Sequence, residues 1–245
     1  MGYTGVIVCA VSGNIPENSF VCGRSEIMIR TIVFDMDGVL IDTEALILEA
    51  WKEVAAGIGL KDIEKTLYQC IGITAPETEA LFRRTYGEDF PYRKYKAMSS
   101  EIFHANIKEH GLPVKPGVYE LFDFLKENGW QIGLASSTRK SLVCEEMESI
   151  GLLSFFHVIV CGDMVTHSKP HPEIYLKACE LLNASPKRCF AVEDSPNGIR
   201  SAYGAGMKPL MVPDLIAPDT EIKSLLSGQF KNLLEVRDFL RADTL

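Results

Sequence analysis

Several things are missing from this chain, and each absence excludes a class of protein. No apolar run approaches the roughly 18–20 residues that a bilayer-spanning helix needs. Basic residues are outnumbered, 25 Lys and Arg against 33 Asp and Glu, and the net charge of −8 argues against nucleic acid or an anionic membrane as the main partner. The apolar stretch Val6-Ile7-Val8-Cys9-Ala10-Val11 has no Lys or Arg before it, so the positive flank of a secretory signal is lacking. Met1-Gly2 is followed at position 6 by Val6, where myristoylation would want Ser or Thr. No pair of cysteines forms C-x-x-C; the seven (Cys9, Cys22, Cys70, Cys144, Cys161, Cys179 and Cys189) are scattered and odd in number. That excludes a zinc ribbon and fits a reducing, cytoplasmic compartment with cysteines as small apolar core fillers. Internal repeats and low-complexity tracts are absent too.

What remains is ordinary globular composition: 245 residues, 47% hydrophobic and 24% charged. Residues 1–27 read as a peripheral extension, with Met28 an alternative start. Beyond it, short apolar runs alternate with amphipathic stretches. Expected strands are Thr31–Asp35, Gln131–Ala135, Val158–Cys161, Cys189–Val192 and Pro209–Val212. Expected helices run over Pro116–Asn128, Arg139–Ile150 and Pro172–Leu182. Strands alternating with helices predict an α/β fold, a parallel sheet covered on both faces. The interval from Glu44 to about Gly111 breaks the alternation. Ile47, Trp51, Val54 and Ile58 recur at helical spacing, and Thr78–Tyr86 and Tyr92–His110 also read as helices. The expected organisation is a core of residues 28–43 and 112–245 with a helical cap, residues 44–111, inserted over the carboxyl ends of the strands.

Chemistry gathers at the ends of those strands. Thr31-Ile32-Val33-Phe34 runs into Asp35-Met36-Asp37-Gly38, which offers one carboxylate as a nucleophile and metal ligand and a second as general acid and base. An EF-hand reading fails, because its sixth and twelfth positions would be Leu40 and Leu46 instead of Gly and Glu. Ser136 ends the second strand; its hydroxyl and the following amide suit phosphate oxygens, or it caps the helix at Arg139. Lys169, in Ser168-Lys169-Pro170-His171-Pro172, is either a fixed cation beside a phosphoryl group or a solvated loop lysine, and His171 reads as a structural loop residue. In Val192-Glu193-Asp194-Ser195-Pro196, a strand again runs into paired acids: hard oxygen ligands for Mg²⁺, or a cap supplied by Asp194 or Ser195. In a parallel sheet all four strand ends meet on one edge, where a divalent cation and a lysine would relieve the repulsion among the acids. A nucleophile, metal, cation, hydroxyl and proton shuttle together fit a phosphoryl substrate.

These motifs closely resemble the haloacid dehalogenase superfamily, in its phosphatase and β-phosphoglucomutase branch. Asp35-Met36-Asp37-Gly38-Val39-Leu40, Leu134-Ala135-Ser136-Ser137, Ser168-Lys169-Pro170 and Glu193-Asp194-Ser195 carry the likeness, over about residues 29–215. The resemblance implies a Rossmann-like core with a helical cap, Mg²⁺, and an aspartyl-phosphate on Asp35. Metal binding carries over to the Asp35 carboxylate, the Asp37 backbone carbonyl and Asp194, with Glu193 acting directly or through water. Asp37 separates the chain from dehalogenases and phosphonatases, which lack that second aspartate. The mutases are similar through Asp42-Thr43 and Ala50-Trp51-Lys52, but Ile47 stands where they carry a cap histidine, and Ala75, in Gly72-Ile73-Thr74-Ala75, where they carry a phosphate-gripping arginine. The expected function is therefore a Mg²⁺-dependent phosphatase acting on a small phosphorylated metabolite, a sugar phosphate foremost, with a β-phosphoglucomutase-type phosphotransferase as the alternative. Arg83, Arg84 and Arg93 are read as solvated helix faces. Nothing in the sequence demands an oligomer, so a monomer is expected.

Overall fold

The computed structural model describes residues 30–70 and 75–242. The N-terminal extension and Gly72-Ile73-Thr74 of the cap loop fall outside them, as does the side chain of Ala75. In chain order come β1 (Thr31–Phe34), α1 (Thr43–Ile58), α2 (Ile63–Tyr68), α3 (Ala75–Tyr86), α4 (Tyr92–His110), α5 (Val118–Glu127), β2 (Gln131–Ser136), α6 (Lys140–Ser149), β3 (Val158–Cys161), α7 (Glu173–Leu181), β4 (Cys189–Glu193), α8 (Pro196–Gly204), β5 (Lys208–Met211), α9 (Thr220–Leu225), β6 (Gly228–Gln229) and α10 (Leu233–Ala242).

The six strands form one sheet in the order β3-β2-β1-β4-β5-β6, every pair parallel. All four residues of β1 are buried, which is why it reads as an unbroken apolar run. Its side chains alternate between two cores. Ile32 and Phe34 join Leu121, Phe122 and Leu125 of α5 and Val236 and Leu240 of α10 on one face. Val33 faces Ile174, Tyr175 and Ala178 of α7 on the other. From β1 the chain builds outward through β2 and β3, then crosses back to place β4 on the other side of β1. That reversal makes a crevice at the carboxyl ends of β1 and β4, where open α/β sheets take their ligands.

Helices α1 to α4, which lie between β1 and α5, bury a cluster of their own: Trp51, Phe82, Phe90 and Tyr92, with Ala55 and Ile63. Two linkers join them to the sheet and pair with each other. The Asp42 amide donates to the Pro113 carbonyl at 3.0 Å and the Lys115 amide to the Leu40 carbonyl at 2.9 Å. The Lys115 ammonium pairs with Asp214 at 2.7 Å and Asp42 at 3.4 Å, tying both linkers to the loop after β5.

The five expected strands are present, each within a residue or so of its expected bounds, and β6 is an addition. It is too short to carry an alternating pattern, and α2 and α9 are likewise too short for one. One expectation is corrected. Lys169 does not lie at the end of a strand. It sits beyond β3 and a turn at Gly162–Met164, and its side chain reaches back to the sheet edge.

Candidate active site

Asp35 follows β1 directly, its amide still bonded to the Val192 carbonyl of β4 at 2.9 Å. The sheet thus delivers its side chain to the crevice, where it is 8% exposed. The turn beyond is tight: the Gly38 amide donates to the Ile41 carbonyl at 2.9 Å, with Gly38 at φ +78°. A Cβ on Gly38 would stand 2.4 Å from Asp194 Oδ2, so two separate requirements, backbone and packing, call for glycine there. The close approach brings the Asp-x-Asp turn against the acid after β4.

Lys169 is the centre of the charge network. Its ammonium donates to Asp35 Oδ1 at 2.6 Å, Glu193 Oε1 at 2.6 Å and the Ala135 carbonyl at 3.1 Å, which accounts for its three N–H groups. It lies 5.1 Å from the Tyr175 ring centroid. With a side chain only 9% exposed, it is no solvated loop lysine. Burial works to lower its pKa, but the carboxylates of Asp35 and Glu193 outweigh that and hold it above the usual lysine range.

Glu193 is wholly buried and both of its oxygens have partners. Oε1 accepts from Lys169 and from the Tyr175 hydroxyl at 2.7 Å; Oε2 accepts from Ser195 at 3.2 Å. A Cβ on Gly198 would lie 1.9 Å from its carboxyl carbon, so α8 can press against Glu193 only with glycine at that point. Ser195 is the N-cap of α8, accepting from the Gly198 amide at 3.1 Å. The capping alternative therefore holds for Ser195, and Asp194 remains for the crevice.

Asp37 is held from two sides. Its Oδ1 accepts from the Thr43 hydroxyl at 2.8 Å and its Oδ2 from Thr138 at 3.1 Å. Thr43 opens α1 and Thr138 follows β2, so this carboxyl joins the inserted helices to the sheet edge. Ser136 is fully buried, and its hydroxyl accepts from the Thr138 amide at 3.0 Å. It is not the cap of α6; Arg139 stands there.

Asp35, Glu193 and Asp194 present oxygens within 4.8 Å of one another. Burial raises the pKa of Asp35, aided by the negative charges of Glu193 and Asp37 and opposed by Lys169. Burial likewise lifts Asp194 well above the carboxylate range, with Glu193 and Asp35 adding to the rise. One ammonium thus faces more buried acid than it neutralises. An oxygen-only donor set with excess negative charge fits a hard dication such as Mg²⁺.

The structure brings together Asp35, Lys169, Glu193 and Asp194, with Asp37 and Ser136 beside them. Sequence reasoning missed Thr138 and Tyr175. Thr138 had a faint signal in the Ser136-Ser137-Thr138 run at a strand end; Tyr175 had none, because its position on α7 resembles any buried helix residue. Arg83 and Arg93 pair with Glu79 on exposed helix faces, at 2.9 and 3.2 Å. Ile47 is partly exposed on α1. Among the described residues no helix is long and apolar enough to cross a membrane.

A profile of the haloacid dehalogenase-like hydrolases matches residues 32–212. Among known proteins, the phosphorylated carbohydrates phosphatase of Thermotoga maritima is 35% identical over 184 residues, covering 73% of this chain and 82% of its own. Hexitol phosphatase B of Escherichia coli K12 is 30% identical over 217 residues, covering 84% and 97%. Among solved structures, CbbY from Rhodobacter sphaeroides in complex with phosphate superposes with a TM-score of 0.68 at 30% identity, covering 85% of this chain and 96% of that one.

Proposed function

Because the chain belongs to the haloacid dehalogenase-like hydrolase family, as one of its phosphatases, we propose that it cleaves a small phosphorylated carbohydrate by way of a phosphoryl group carried on Asp35. The observation that carries the reading is the 2.6 Å contact of Lys169 with Asp35 Oδ1. It fixes one oxygen of a buried carboxylate, and in this reading the other faces the crevice. That second oxygen attacks phosphorus as the ester P–O bond breaks, and Asp37 gives its proton to the departing oxygen. Water then attacks the same phosphorus, passes a proton to Asp37 and releases phosphate, and the Asp35 carboxylate is restored. Thr43 and Thr138 keep Asp37 aimed through both steps. Lys169 and the Ser136 strand end face the phosphoryl oxygens, where a fixed cation and amides stabilise developing charge.

Asp35, Asp194 and the Asp37 backbone carbonyl would hold Mg²⁺, with Glu193 behind them. The ion would supply the neutralising charge that lets a phosphoryl dianion enter an acidic site. Since Glu193 already accepts from Lys169, Tyr175 and Ser195, its main part in this reading is to hold Lys169 in place. Helices α1 to α4 serve as a lid that excludes bulk water and reads the leaving group. A carbohydrate leaving group is favoured by the names of the relatives, one a phosphorylated carbohydrates phosphatase and another a hexitol phosphatase.

Replacing Asp35 by Asn is the direct test. Turnover of an aryl phosphate with Mg²⁺ should fall on the order of 10⁴-fold or more; near-native turnover would overturn the mechanism. Supplying β-glucose 1-phosphate separates hydrolysis from isomerisation. Free phosphate is the expected product, and accumulation of glucose 6-phosphate would transfer the reading to a mutase.

A further inference from the structure

The loop that sends Lys169 into the crevice carries a second group of donors on its outer side. His167, His171 and Glu173 flank Lys169 and place one ligand atom each within 4.8 Å of the others. The two imidazole rings lie 4.5 Å apart, centroid to centroid. Lys169 itself points the other way, so the outer face of the loop presents two histidines and a carboxylate without the ammonium between them.

Glu173 is already positioned as a ligand would need to be. Its Oε1 accepts from the Thr166 amide at 2.8 Å and its Oε2 from the His167 amide at 2.9 Å. Those bonds, with His167 beside it, hold its carboxyl ionised, at about 2. His167 Nδ1 stands 2.8 Å from the same Oε2 and His171 Nδ1 stands 4.0 Å from it. Donors around a tetrahedral ion with bonds of about 2.0–2.1 Å sit ~3.3 Å apart, and the two observed separations bracket that value. Moving each ring by a fraction of an ångström equalises them. An ion would take the place of the proton that His167 shares with Glu173. His171 Nδ1 would exchange its long 3.3 Å bond from the Glu173 amide for a metal bond.

We propose that His167, His171 and Glu173 form a binding site for a borderline transition-metal dication of the zinc kind, separate from the acidic crevice and on the opposite side of the Lys169 loop. Imidazole nitrogen selects zinc-like ions over Mg²⁺, which takes hard oxygen and keeps its water. Two nitrogens and one oxygen leave a fourth position open to water or an outside ligand. Both histidine side chains are more than half exposed, so the ion has a path in. Once bound, it would pin both ends of the segment that holds Lys169.

The test is calorimetric titration of the full-length protein with Zn²⁺ in excess Mg²⁺, run on the wild type, on His167→Ala/His171→Ala and on His171→Gln. Wild type should take up one equivalent more than the double variant, and Zn²⁺ should raise its melting temperature but not that of the double variant. His171→Gln, the milder change, should weaken that equivalent at least about tenfold. Equal stoichiometry and equal thermal shifts in wild type and double variant would overturn the proposal, as would unchanged affinity in His171→Gln. Comparing proteins that keep every cysteine removes thiol binding from the difference.

Discussion

The sheet edge and the inserted helices solve opposite problems. At the edge, charge is buried: Lys169, Asp35 and Glu193 have side chains from 0 to 11% exposed, and Lys169 stands 2.6 Å from each acid. In helices α1 to α4 the interior is aromatic, with Trp51 and Phe82 centroids 4.8 Å apart and Phe82 and Tyr92 4.9 Å apart. The charges there, Glu79 with Arg83 and Arg93, stay on exposed faces, where ion pairs contribute little. Under the proposed function the difference separates chemistry from recognition. A buried ionic network has few arrangements that leave no group unpaired, so its residues are tightly constrained. An aromatic cluster needs volume and shape, which leaves its outer surface less constrained. Thr43 is where the two meet, since it opens α1 yet holds Asp37.

Of the changes that probe this difference, Lys169→Met should have the largest effect, since it keeps the bulk and removes the charge. We expect turnover to fall by about 10²–10³-fold for every phosphate ester, aryl or sugar alike. A loss confined to sugar phosphates would place Lys169 on the recognition side and break the division. Phe82→Ala comes next. Removing the ring at the centre of the aromatic cluster should cost about 3–5 kcal/mol within the inserted helices. The expected signature is a lowered melting transition with kcat/KM for a sugar phosphate falling more than that for an aryl phosphate. Equal losses on both substrates would show that the helices serve the chemistry itself.

The smallest prediction concerns a core residue that breaks the rule of satisfied charge. Glu146 on α6 is buried, its Oε2 has no hydrogen-bond partner, and burial with the nearby charges of Asp37 and Glu145 pushes its pKa up to about 7. The folded state therefore holds this proton more tightly than the unfolded chain, whose carboxyl titrates near its ordinary value of 4.5. Its contribution is most favourable below that value and is lost as pH rises toward about 7, on the order of 2 kcal/mol. Glu146→Gln should remove this part of the pH dependence and raise stability at pH 8, as denaturant titrations at pH 5 and pH 8 would show. An unchanged slope between them would mean that the carboxyl finds a partner in solution.

Much of the fold was legible because a buried parallel sheet writes itself as short apolar runs. Asp35 and Asp194 were legible because they follow such runs directly, and a charge at the end of a buried strand has few structural reasons to be there. Lys169 was legible by residue type and flanking prolines but was misplaced at a strand end, since loop length says nothing about where a long side chain turns. Tyr175 and Thr138 could not be weighted correctly. A tyrosine on a buried helix face and a threonine beyond a strand become informative only when their hydroxyl partners are known.

The sequence by itself determined the order of the chemical groups: a pair of aspartates, then a hydroxyl, a cation and paired acids, each tied to an element whose type its periodicity reveals. Only the tertiary structure decided which of them touch. Lys169 and Asp35 are 134 residues apart, and Thr138 and Asp37 are 101 apart. Those contacts exist because β1 lies between β2 and β4, and strand order is set by how the helices cover the two faces of the sheet, which no local pattern records. For the same reason the surroundings of Glu193 took shape only in three dimensions: a carboxylate expected at the metal has both oxygens bonded within its own chain and holds Lys169 beside Asp35.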